Sequence, residues 1–297
     1  MAVNMLLPYM PFLTDYWPFL VAGVACFAAA KYLFTVVSEA PDEKTLGEEE
    51  ELIGEDELDM DSVDGGQDPD IASALPWDLE HVPYIFTRLS LEESLQQSKE
   101  FYEKMNTRRT VRYFSADPVP KEVIYNIIRA AGTAPSGAHT EPWTYVVVSD
   151  PTIKQQIREI VEAEEEENYK KRMGKKWVMD LRPLKTSWKK EYLTTAPYLI
   201  LVFKQMFSYT EDGARKVHYY NEKSVAIASG ILITAIHMAG LVSLTSTPLN
   251  CGTALRTLLG RPMSERLTLL LPVGYPAEDA TVPNLARKPL DEIMVEI

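Results

Sequence analysis

The sequence predicts an α+β domain: a layered sandwich around a central antiparallel or mixed sheet with one long central helix, carried behind a single N-terminal transmembrane helix. Three observations lead there. Helical and strand-like segments follow one another without a strict βαβ repeat. Residues 224–240 form one long, nearly all-apolar helical stretch, as expected at a domain centre. Residues 16–37 are almost wholly apolar, with Lys31 as their only charge.

That N-terminal run reads YWPFLVAGVACFAAAKYLFTVV, and its 22 residues would reach about 33 Å as a helix, enough to span a bilayer core. Tyr16 and Trp17 at one end and Tyr32 at the other suit the two interfaces. Ala28-Ala29-Ala30 could pass for a signal-peptide cleavage site, but no Lys or Arg precedes the run, as a signal peptide requires. Lys31 and Lys44 lie C-terminal to the span's centre, which favours a cytoplasmic domain under the positive-inside rule. Residues 1–38 are therefore expected to be a membrane anchor.

The net charge of −13 is concentrated in one place: residues 39–70 hold fifteen Asp or Glu and one Lys, a balance of −14, which leaves +1 for all the rest. Such dense like charge cannot bury enough surface to offset ordering. Residues 39–75 are expected to be an extended acidic tether, and 76–297 the folded domain. No basic stripe suggests nucleic acid. The two cysteines, Cys26 and Cys251, exclude a disulfide framework, and no Cys/His spacing suggests a metal site.

Within the domain, helices are expected at 91–107 and 121–132, the latter with a Gly stop. Strands are expected at Trp143–Val148 (WTYVVV), at 197–203 (PYLILVF) and at 267–273 (LTLLLPV). Pro151 suits the first turn of a further helix.

Four clusters carry the chemistry. Arg108-Arg109-Thr110-Val111-Arg112 places three guanidiniums within five residues, a donor set suited to a phosphomonoester; an exposed basic turn is the alternative. Pro135-Ser136-Gly137-Ala138-His139 runs through Thr140, Glu141 and Pro142 into a strand, a loop whose amides can approach a flat ligand. His139 is more readily structural than a proton donor. Thr245-Ser246-Thr247 offers hydroxyls near a helix start, where an ordinary cap would also explain them. Gly274-Tyr275-Pro276 ends a strand ahead of Arg287.

In this order the four clusters, with Ala228-Ser229-Gly230 on the long helix, resemble the nitroreductase superfamily of FMN enzymes over about 108–287. The resemblance implies FMN as cofactor. Arg108, Arg109, Thr110, Val111, Arg112 and Arg287 would hold its phosphate and ribityl end, Pro135, Ser136 and Gly137 would lie along the ring, and Thr245, Ser246 and Thr247 would line its other edge. It also implies a homodimer.

The insert at 160–192 narrows the resemblance to the branch that dehalogenates 3-iodo-L-tyrosine and 3,5-diiodo-L-tyrosine beneath a closing lid. By that resemblance Glu165 takes the substrate ammonium, Tyr169 hydrogen-bonds the zwitterion, Lys190 takes the carboxylate, and the Ala138 N–H meets the phenolate. Glu165 and Tyr169, four apart, share a helix face. Their charged neighbours otherwise read as an ordinary solvated helix with i,i+4 pairs, and nothing in the spacing singles out Glu165. Thr247 is the candidate catalytic hydroxyl at flavin N5, where it would favour one-electron steps. No G-x-G-x-x-G follows a strand, so electrons from NADPH would arrive directly and transiently or through a separate reductase. A general nitroreductase or quinone reductase, a flavin-consuming enzyme, and a flavin-binding scaffold that docks a basic partner are the competing readings.

Overall fold

The structure is a computed structural model and describes residues 73–211 and 213–297. The expected anchor at 16–37, and the tether up to residue 72, lie outside the described residues. Among the described residues, no helix is long and apolar enough to cross a membrane.

Among the described residues, the first regular element is α1 (Leu91–Asn106). Its N-terminus is a capping box: Glu93 N donates to Ser90 Oγ at 3.1 Å, and Ser90 N donates to Glu93 Oε2 at 2.9 Å. None of its residues is buried, and upstream Trp77 and Ile85 are 97% and 93% exposed. Helix α2 (Lys121–Ala131) instead buries Ile124, Ile127 and Ala131, one stripe at helical spacing.

Then follow β1 (Trp143–Val148), α3 (Pro151–Glu167), a single π-turn (Asn168–Arg172), α4 (Lys175–Leu181), α5 (Tyr192–Thr195) and β2 (Tyr198–Gln205). Asp150 caps α3 through Ile153 N at 2.9 Å, with Pro151 in the first turn as expected. A short hairpin, β3 (Phe207–Tyr209) with β4 (Arg215–Val217), leads to α6 (Asn221–Met238). The chain closes through β5 (Val242–Ser243), α7 (Gly252–Leu258) and β6 (Glu265–Gly274).

The main sheet has the order β1-β2-β6-β5, and every strand pair in it is antiparallel. One parallel bridge, Thr110 to Ser243, makes it mixed and ties the arginine segment to its edge. Strand β2 is sandwiched on both faces, which explains its unbroken apolar run. Tyr198, Ile200 and Val202 face α2 and α6, while Leu199, Leu201 and Phe203 face α3 and α7. The long helix α6 buries Val225, Ala228, Leu232 and Ile236 against this core. It is not enclosed by the chain on all sides, however: Ala226, Ile227 and Gly230 form an exposed strip along it.

Candidate functional site

The arginine segment leaves α1 and is pinned by Val111 N donating to Ser243 O at 3.2 Å. From the far end of the chain, Arg287 folds back onto it. Its Nη2 donates to Arg108 O at 2.7 Å and its Nε to Asn106 Oδ1 at 3.2 Å. Arg109 donates to Pro283 O, tying down the same C-terminal segment. Burial first, and then the nearby Arg287 and Arg109 charges, lower the pKa of Arg108. Partly desolvated like charges gathered this closely form a cradle for a multiply charged anion.

The second cluster is a strained loop. Ala138, His139 and Glu141 all have positive φ (47°, 52° and 46°), and Gly137–His139 forms one 3₁₀ turn. The loop is held by Glu141 N donating to Ser136 Oγ at 3.0 Å, Thr140 Oγ1 donating to Gly137 O at 3.0 Å, and Gly137 N donating to Ser224 Oγ at 3.4 Å. Gly137 permits this last approach: a Cβ there would stand 2.9 Å from Tyr219 O. The Ala138 N–H has no acceptor within the loop.

The third cluster leaves β5. Ser246 exchanges both backbone hydrogen bonds with Leu270, at 3.0 and 2.8 Å, so successive side chains alternate. Thr245 and Thr247 are exposed on one side. Ser246 turns to the other and meets the Tyr192 hydroxyl, whose pKa is raised chiefly by burial. None of these hydroxyls caps α7; Cys251 holds its N-cap position without a side-chain bond.

The segment at 160–192 supplies the fourth. Along α3 and the π-turn, Glu164, Glu166 and Glu167 make outward ion pairs with Arg172, Lys170 and Lys171. Glu165 alone turns inward. Its carboxylate meets Lys190 Nζ at 3.1 Å, with side chains only 12% and 8% exposed. The same Nζ lies 5.6 Å from the Tyr169 ring centroid. Tyr169 is positioned by a side-chain hydrogen bond with Thr186 and by an edge-on contact with Trp177 at 4.9 Å. Lys190 is also held by its backbone, whose N–H donates to Glu162 Oε1 at 2.6 Å. Thr186 and Trp177 against Tyr169, and Tyr192 against Ser246, are neighbours that sequence reasoning missed, because no local spacing announces these contacts.

The four clusters thus give a cationic cradle, a loop open to close approach, exposed threonines, and a buried acid–base pair beside a tyrosine. A cleft of about 370 Å³ lies beside Arg112, lined by Lys185, Thr186, Lys189 and Tyr192 among others. Among the described residues, no group of His, Cys, Asp or Glu could hold a metal ion.

Comparison with known proteins follows the same lines. Residues 105–275 match the model of the nitroreductase family. The chain is 62% identical over 219 residues to iodotyrosine deiodinase 1 of Mus musculus, covering 74% of this chain and 77% of that one. It is 61% identical over 220 residues to iodotyrosine deiodinase of Nematostella vectensis, covering 73% and 83%. A crystal structure of oxidized iodotyrosine deiodinase bound to FMN and 3-iodo-L-tyrosine superimposes with a TM-score of 0.56 at 31% identity, over 66% of this chain and 97% of that one. A BluB-like flavoprotein from Clostridium difficile, at 20% identity and a TM-score of 0.53, shares the fold. The chain therefore belongs to the nitroreductase family, within its iodotyrosine deiodinases.

Proposed function

We propose that this protein reductively deiodinates 3-iodo-L-tyrosine and 3,5-diiodo-L-tyrosine, using FMN. The observation that carries the reading is the buried Glu165–Lys190 pair beside Tyr169. A free amino acid brings one ammonium and one carboxylate. Inserted between Glu165 and Lys190, it converts a pair of opposite charges into an alternating four, each desolvated charge next to its complement. A reductase of simple quinones has no use for such a pair.

The residues present fit FMN. Arg108, Arg109, Arg112 and Arg287 would hold its phosphate, with Thr110 and Val111 lining the approach. Pro135, Ser136 and Gly137 would lie along the ring, where the absence of a Cβ at Gly137 lets the backbone come close. Of Thr245, Ser246 and Thr247, the two threonines would face the opposite edge, Thr247 as the hydroxyl at N5, while Ser246, paired with Leu270 and turned to Tyr192, would hold them from behind. Bound FMN supplies the two reducing equivalents. Replacing one C–I bond by C–H consumes two electrons and one proton and releases iodide, so tyrosine is the final product. In this scheme Glu165 accepts from the substrate ammonium, Lys190 donates to its carboxylate, Tyr169 bonds the zwitterion, and the free Ala138 N–H donates to the phenolate oxygen.

The active form is a homodimer. Helix α1 buries no residue of its own, and α6 exposes Ala226, Ile227 and Gly230 in a strip that lets a second helix approach closely. Two further proposals concern delivery. NADPH is the ultimate reductant, directly or through a separate reductase. Residues 16–37 anchor the chain in a plasma or vesicle membrane with the domain on the cytoplasmic side.

The test is direct: load the protein with FMN, titrate it with 3-iodotyrosine while following flavin fluorescence, then add dithionite and measure iodide. Saturable quenching with stoichiometric iodide release is expected. A protein that ignores iodotyrosine but rapidly reduces nitroaromatics would be a general nitroreductase instead.

A further inference from the structure

The core-facing stripe of α3 runs through Lys154, Ile157 and Val161, and its next two steps are Glu165 and Asn168. Three polar residues thus occupy positions where the helix period calls for apolar ones. Each reaches a group outside its own helix. Lys154 Nζ donates to Thr194 O and Ala196 O at 3.1 and 2.8 Å, and Glu165 holds Lys190. Asn168 is 1% exposed, and its Oδ1 accepts from Asn250 Nδ2 at 3.2 Å. Arg172 Nη1 donates to the same oxygen at 3.2 Å. Two donors on one side fix the orientation of the amide, and its own Nδ2 is left buried without a partner. A leucine would fill that position without leaving a buried donor unpaired. The amide is therefore kept for what its oxygen holds.

Asn250 ends the Thr245–Thr247 segment in a left-handed conformation, φ 64°, and α7 starts two residues on. Its partner sits three residues after Glu165 and one before Tyr169. The bond therefore joins the segment assigned to the flavin edge to the root of the zwitterion clamp, without either residue belonging to the site. We propose that Asn168 and Asn250 are positioning residues that hold the lid root in the register at which Glu165 and Tyr169 face Lys190, so that affinity for the amino-acid end of the substrate depends on a segment that never touches it. This rests on the deiodinase reading of the clamp.

The experiment uses FMN-loaded full-length protein and equilibrium binding by calorimetry. The ligands are 3-iodotyrosine and 2-iodophenol, which has the same ring without the zwitterion. The variants are Asn168→Leu, Asn250→Gly (glycine keeps the positive φ) and the double variant, with hydrogen exchange of lid amides 165–172 followed alongside. Each single substitution is expected to weaken 3-iodotyrosine at least fivefold and 2-iodophenol less than twofold, and to speed exchange at the lid root. The double variant is expected to be no more than twofold weaker than the weaker single, because one bond is lost in all three. Unchanged 3-iodotyrosine binding in Asn250→Gly, or equal weakening of both ligands, would overturn the positioning role while leaving the deiodinase reading intact. Failure of the unsubstituted protein to bind 3-iodotyrosine would overturn that reading and this inference together.

Discussion

Replacing Glu165 by Gln keeps the size of the side chain and removes its charge. In the free protein, Lys190 Nζ lies 3.1 Å from the carboxylate, and both side chains are about nine-tenths buried, so solvent screens the pair little. Removing one member of a buried pair costs about 3–5 kcal/mol, because the other charge remains desolvated and alone. When substrate binds, its ammonium meets an amide instead of a carboxylate, a loss of about 2–5 kcal/mol for a truncated buried pair. At about 1.4 kcal/mol per decade, that weakens 3-iodotyrosine between roughly thirtyfold and a few thousandfold. Calorimetric titration of the FMN-loaded variant measures this directly. The 2-iodophenol affinity should stay within about threefold, since that ligand brings no ammonium for Glu165 to accept. A change below threefold for 3-iodotyrosine would refute the assignment of Glu165 and shift suspicion to Glu162, which already faces Lys190 through a backbone bond.

Other perturbations have equally definite outcomes. His218 is 4% exposed with neither ring nitrogen hydrogen-bonded, and burial, helped by the Lys216 charge, lowers its pKa to about 4. Because the folded value lies below the unfolded one of about 6.5, the unfolded chain binds the extra proton as pH falls, and stability declines from about pH 6.5 down to about 4. His218→Gln should flatten this decline, which is worth about 2 kcal/mol at pH 5, in urea melts at pH 7.5 and 5; an equal slope in both proteins would exclude His218 as its source. Gly137→Ala should weaken FMN about tenfold or more, since the added Cβ must push against Tyr219 O at 2.9 Å, an overpacking cost of about 1–3 kcal/mol. Fluorescence titration of the apoprotein reads it. Arg287→Ala should leave the heat stability of the apoprotein unchanged or slightly higher, because it removes a charge that crowds Arg108, while weakening FMN by about 1.5–3 kcal/mol. Cys251 is 1% exposed and burial raises its thiol to about 12, so it should resist iodoacetamide in the native domain at pH 8 and react only after denaturation.

The strongest elements were legible because their patterns are local. The strand expected at 143–148 is β1 itself, and the other two expected strands form the cores of β2 and β6. The hairpin of β3 and β4 was missed: each strand has three residues, too short for an alternation to register, although an Asp212-Gly213 dipeptide with Gly213 at φ 87° marks its turn. The long helix expected at the domain centre is α6, which packs on the main core and leaves one strip exposed. Composition cannot tell which apolar residues of such a helix the chain buries, and Ile227 is 49% exposed here. The arginine cluster and the Pro-Ser-Gly loop were visible as motifs, but the meeting of Arg287 with Arg108 spans the domain and needed the fold. The choice of Glu165 among its acidic neighbours had no basis in spacing. Three-dimensional structure supplies one, since the neighbours pair outward and only Glu165 points at a buried cation.

The π-turn at Asn168–Arg172, closed by Met173 N donating to Asn168 O at 2.9 Å, has a consequence for how the lid can vary. It contains one residue more than an α-helical turn, and one residue corresponds to about 100° of helical phase and 1.5 Å of rise. Everything before it is phased by the core that α3 must satisfy. The helix then ends: Met173 is extended and Gly174 opens α4 as a new helix, so the segment from Met173 to Leu184 does not continue the phase of α3. A change of length after Arg172 would therefore be taken up at Met173 and Gly174 and would leave Ile157, Val161 and Glu165 where they are. The insert therefore consists of a root set by the core and an outer part that can change in length, joined back to the root where Trp177 meets Tyr169 edge-on.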